Sequence, residues 1–120
     1  MNALMVVTFV LQLTFSGPSA VVVRFPQADP ALGNLRVWGG PECLWLTYNS
    51  IVCYPPVGSN NLNLRVQMDC SMDRARLEVR EHRVGEEPHY QLVYVDNDRS
   101  RCPPQREWLH RVYFPFVGGR

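Results

Sequence analysis

The strongest constraint on the fold lies in residues 62–70, where polarity switches at every position. Leu62, Leu64, Val66, Met68 and Cys70 share one parity, and Asn63, Arg65, Gln67 and Asp69 share the other. A period of two belongs to a pleated strand with one dry and one wet face; a helix, with a period of about 3.6, cannot keep these apolar positions together. Ser71–Arg74 supplies turn residues, and then Ala75, Leu77 and Val79 alternate with Arg76, Glu78 and Arg80. The pattern predicts a hairpin over 62–82 with a core-facing and a solvent-facing side.

The same period recurs along the chain. Leu44, Leu46 and Tyr48 alternate with Trp45 and Thr47, and a further strand runs from Ile51 to Tyr54 after Asn49-Ser50. His89–Val95 reads as another strand, and its two apolar faces predict a central position in a sheet. Trp108–Phe116 reads as the last strand, with Trp108, His110, Val112 and Phe114 opposite Leu109, Arg111 and Tyr113. Short strands at spacings near ten residues, with turn-rich connections and no helical periodicity, predict an all-β fold: a small antiparallel β-sandwich of about six strands.

Residues 1–20 read as a secretory signal. An apolar run from Ala3 to Phe15 ends at Gly17-Pro18, followed by small residues Ser19-Ala20, and the run is too short for a bilayer span of about 20 apolar residues. A secreted product carries no membrane segment after cleavage. Residues 21–34 hold Pro26, Pro30 and Gly33, which argues for a flexible or surface-lying arm that includes a short strand at Val21–Phe25. The β-sandwich domain is then expected over 35–120.

Secretion makes Cys43, Cys53, Cys70 and Cys102 disulfide candidates, and a domain of this size gains much from such staples. Four cysteines allow three connectivities; Cys43–Cys53 with Cys70–Cys102 is favoured, although sequence does not decide among them. No CxxC pair occurs, so a zinc site is not expected, and no phosphate loop or dinucleotide fingerprint implies a cofactor. The net charge of +1 argues against a nucleic-acid binder. All twelve basic residues are arginine. Avoidance of ubiquitination inside another cell, bidentate surface recognition and GC-rich codon usage each fit that choice.

Two groups of residues invite a functional reading. Glu78, Arg80, Glu81, His82, His89 and His110 include the carboxylate, arginine and imidazole of a metal-independent ribonuclease, with Glu78, Arg80 and His89 or His110 as the working set. The alternative is that these are solvated strand faces joined by cross-strand ion pairs. Trp38, Trp45, Trp108, Tyr90, Tyr94, Tyr113, Phe114 and Phe116 are mostly expected in the core. Any that face outward beside Arg65, Arg76, Arg80 or Arg111 become candidates for binding a partner.

Pro41-Glu42-Cys43-Leu44-Trp45-Leu46, then Asn49 and Cys53-Tyr54, resembles the first strand and following cysteine of the MAX effectors, the ToxB-like and avirulence proteins of plant-pathogenic fungi. Asp96-Asn97-Asp98 followed by Cys102 is similar to their late cysteine. The local likeness covers about fifteen residues, and Cys43 to Cys102 is longer than the family's usual cysteine separation. The resemblance implies a secreted, non-enzymatic virulence protein that binds host proteins, with Cys43 as a structural cysteine; a monomer is expected.

Overall fold

The structure, a computed structural model, describes residues 6–15, 17 and 19–102. Eight strands run in chain order: β1 (Val6–Thr14), β2 (Ala20–Arg24), β3 (Leu35–Trp38), β4 (Cys43–Thr47), β5 (Ser50–Cys53), β6 (Asn61–Asp69), β7 (Arg74–His82) and β8 (His89–Asp96). A short 3-10 turn follows at Arg99–Arg101. They form two antiparallel sheets, one ordered β1-β6-β3 and the other β4-β5-β2-β7-β8. The all-β, disulfide-bonded, sandwich-like expectation holds, with eight described strands where about six were expected. The predicted strand over Trp108–Phe116 lies outside the described residues.

The two sheets close over one core. Leu62, Leu64, Val66 and Met68 of β6 and Ala75 and Leu77 of β7 are all fully buried, so the dry parity read from the sequence is the inner face. From the larger sheet come also Val21, Val23, Ile51 and Val79, and from the smaller Leu35 and Val37. Removing a side chain such as Leu77 from this core leaves a void as well as losing transfer energy.

Three features depart from the sequence reading. The short strand that the sequence allowed at 21–25 is present, but as an inner strand of a sheet rather than part of a surface arm; residues 29–33 do lie at the surface. Ala20–Arg24 is the middle strand of the larger sheet, paired to β5 on one side and β7 on the other. Phe25 is fully buried, worth about 1.5–3 kcal/mol. Beyond it, the Gln27 side chain accepts the Arg76 backbone N–H at 2.6 Å, and Asn34 Nδ2 donates to the Gln27 carbonyl at 2.9 Å. Prolines ended the strand without releasing the loop. Second, among the described residues β8 pairs with β7 alone, where its two apolar faces suggested a central position. Its apolar outer residues face solvent instead of a neighbouring layer.

Third, Val6–Thr14, within the expected signal, pairs along the whole of β6, from Val6↔Asp69 to Thr14↔Asn61. Val7 and Leu13 face the core, and Phe15 N–H donates to the Asn60 carbonyl at 2.7 Å. The run that reads as a leader therefore also holds a strand pattern, with Thr8, Gln12 and Thr14 on its wet parity.

The disulfides are Cys43–Cys53 and Cys70–Cys102, the favoured connectivity. The first lies between register partners of β4 and β5. Gly39 passes close beside it: a Cβ at Gly39 would stand 2.5 Å from Cys43 Cβ and 3.3 Å from Cys53 Sγ, so the backbone here needs a glycine. The second joins the end of β6 to the segment after β8. Asn97, buried at that junction, donates Nδ2 to the carbonyls of Asp69 (3.0 Å) and Met72 (2.8 Å), fixing the β6–β7 turn.

Asn97→Ala is expected to lower stability by about 2 kcal/mol, because two carbonyls lose a buried donor. Asn97→Asp is expected to cost more, since a carboxylate then faces both oxygens. Chemical denaturation of the oxidised protein measures both.

Candidate binding face on the five-stranded sheet

The outer side of the larger sheet is built by strand parity. Where Val21 and Val23 point inward, Val22 and Arg24 point outward; where Leu77 and Val79 point inward, Glu78 and Arg80 point outward. Register then stacks the outward residues in rows. One row runs Leu44, Val52, Val22, Arg80, Tyr90 across all five strands. The next runs Thr47, Ser50, Arg24, Glu78, Leu92, and Arg76 pairs with Tyr94 beyond it. Tyr90 (74 %), Leu44 (62 %), Leu92 (56 %), Leu46 (55 %) and Tyr94 (55 %) are all well exposed. A concave groove of about 520 Å³ lies on this face, lined by Leu46 from β4, Val22 and Arg24 from β2, Arg80 from β7 and Tyr90 and Leu92 from β8.

The floor of the groove carries ordered charge. Glu78 accepts from Arg24 Nη1 at 3.2 Å and faces Arg76 Nε at 3.6 Å, one guanidinium on each carboxylate oxygen. Arg74 lies over the Tyr94 ring at 5.6 Å and donates to Asp96 Oδ1 at 2.7 Å; that hydrogen bond raises its pKa above the ordinary arginine value. Arg80 makes no ion pair with any described residue. The face thus offers apolar and aromatic area, low in conformational entropy cost, around an uncommitted bidentate donor.

Within the candidate acid–base set, His89 does not join Glu78 and Arg80. Glu78 and Arg80 share the outer face, but His89 is the register partner of Glu81, on the opposite parity. Glu81 is held by Arg83 at 2.8 Å, and His89 Nε2 lies 3.9 Å from Glu86. His82 has the parity of Glu78 yet stands four residues along the strand, roughly 13 Å at the rise of extended chain. His110 is outside the described residues.

The four candidate arginines fall in different places. Arg76 and Arg80 lie on the groove face. Arg65 is on the outer face of the smaller sheet, 4.8 Å from the Trp38 ring centre, with Arg36 at 5.0 Å from the same ring. Arg111 lies outside the described residues. Trp45, expected mainly as core, is half-exposed and meets Phe25 edge-on at 6.0 Å. Arg24 and Leu44 belong to the groove face and were missed, the first because its segment read as an arm. The outward parity of Tyr90, Leu92 and Tyr94 was legible; their exposure was not.

Among the described residues, no group of three or more His, Cys, Asp or Glu is placed to hold a metal ion. Arg80→Glu is expected to leave the melting temperature within a few degrees of wild type, because no native ion pair is broken. Glu78→Gln is expected to lower it, because Arg24 and Arg76 are left facing each other; thermal unfolding monitored by circular dichroism distinguishes them. Comparison of the chain with family models, with curated proteins and with solved structures finds no match.

Proposed function

We propose that this chain is a small secreted, non-enzymatic binding protein, an effector that acts as a monomer by engaging a protein of a host. The observation that carries this reading is the groove face of the five-stranded sheet, where exposed Tyr90, Leu92 and Tyr94 surround the unpaired Arg80. Tyrosine and arginine dominate the energetics of protein interfaces because they combine large contact area with directional hydrogen bonds. The partner chemistry that fits is an apolar surface bearing an acidic side chain placed to receive Arg80. Two disulfides and the leader-like residues 1–20 support an oxidising, extracellular route. The likeness of residues 41–54 to the MAX effectors supports a host target.

A reporter fused behind residues 1–20 is expected in the medium; its retention in the cell overturns the secretion reading. Binding of the secreted product to its host partner is expected to weaken at least tenfold in Tyr90→Ala/Tyr94→Ala and in Arg80→Glu, and to be unchanged in Arg36→Ala on the opposite sheet. Equal loss in all three variants, or RNA cleavage by the purified product, overturns the binding reading.

A further inference from the structure

The outer face of the three-stranded sheet carries a second constellation, separate from the groove. Register sets Arg36 of β3 opposite Gln67 of β6 and Trp38 opposite Arg65, so four side chains of one parity form a block two strands wide. Both guanidinium groups turn to the same indole: Arg36 lies 5.0 Å and Arg65 4.8 Å from the Trp38 ring centre. The two like charges therefore stand within about 10 Å of each other, no more than a screening length at about 0.1 M salt. Among the described residues neither arginine has an ion-pair partner. The one acid on this parity of β3 and β6 is Asp69; its Oδ1 accepts the Ser71 N–H at 2.8 Å, and Arg36 turns to the ring rather than to it.

We propose that this block is an anion site whose ligand is the phosphoryl group of a small soluble phosphate monoester. Two uncompensated guanidinium charges match a dianion, and each guanidinium presents a planar fork of N–H donors suited to two oxygens of one phosphoryl group. The Gln67 carboxamide belongs to the same block and brings two further N–H donors. The contacts with Trp38 hold both forks over one ring, so less side-chain freedom is lost when the ligand arrives.

The same chemistry narrows the ligand class. The indole, half-buried and contacted by both guanidinium groups, serves them rather than the ring of a sugar or a nucleobase. A carboxylate carries a single charge and fills a single fork, which leaves the second arginine uncompensated. Polyanions and anionic membranes are drawn by a broad positive surface, whereas the net charge of this chain is only +1. None of the four residues lies in residues 1–20 and none lines the groove, so the site belongs to the full chain and to a processed one alike.

The test titrates the oxidised chain at low ionic strength with methyl phosphate, methyl sulfate and acetate, and follows the Trp38 indole N–H and the Arg36 and Arg65 Nε–H signals by NMR. Saturable shifts at all three groups are expected with methyl phosphate, with a dissociation constant on the order of 1 mM. Methyl sulfate and acetate, each with one charge, are expected to bind about tenfold more weakly or less. Arg36→Ala and Arg65→Ala are each expected to weaken methyl phosphate about tenfold, and Arg36→Lys/Arg65→Lys, which keeps the charges without the forks, is also expected to weaken it. Arg76→Ala on the opposite sheet is expected to bind as wild type. The comparison of the three anions needs no variant, so it stands even where a substitution disturbs folding. Absence of saturable shifts, equal affinity for the three anions, or affinity unchanged in Arg36→Ala/Arg65→Ala overturns the site. Binding to phosphatidic acid vesicles with none to methyl phosphate overturns it as well, in favour of a membrane surface.

Discussion

The arrangement of this molecule depends on β2 being buried from both edges and on its inner face. Val21 and Val23 have no exposed surface, and the strand's backbone is divided between β5 and β7. Without it the larger sheet separates into two hairpins, β4–β5 and β7–β8, each too small to persist alone. β2 also sets the groove, because Val22 and Arg24 occupy its middle column. Fold and candidate site therefore share one five-residue strand.

The strongest alternation, in β6 and β7, was legible because both strands have one dry face and one wet face. β2 was obscured for the opposite reason. Val21-Val22-Val23 does not alternate, since a central strand next to apolar Val52 gains from an apolar residue on its outer side as well. The prolines and glycine that follow then read as evidence for an arm. They mark a loop whose fixing bonds, from Gln27 to Arg76 and from Asn34 to Gln27, join residues distant in sequence and leave no local pattern.

The candidate site was legible by parity and not by position. Glu78, Arg76 and Arg80 were correctly placed on a wet face, and the reading of Glu78 as part of a cross-strand ion pair fits its contact with Arg24. What the sequence could not reveal was that, among the described residues, β8 pairs with β7 alone. An apolar strand with two apolar faces suits either a central strand or an edge strand lining a groove, and only the strand order separates them. In the same way, a run such as Val6–Thr14 is hydrophobic enough for a leader and regular enough for a strand. Composition serves both roles.

The two edges of the larger sheet are finished differently. β4 is irregular between Trp45 and Thr47 and is fastened to β5 by the Cys43–Cys53 bridge, which gives a docking strand no straight ladder to extend. β8 pairs with β7 without interruption for eight residues and, among the described residues, has no partner strand on its other side. The irregular, bridged β4 edge therefore offers an incoming strand a poorer ladder than the regular β8 does.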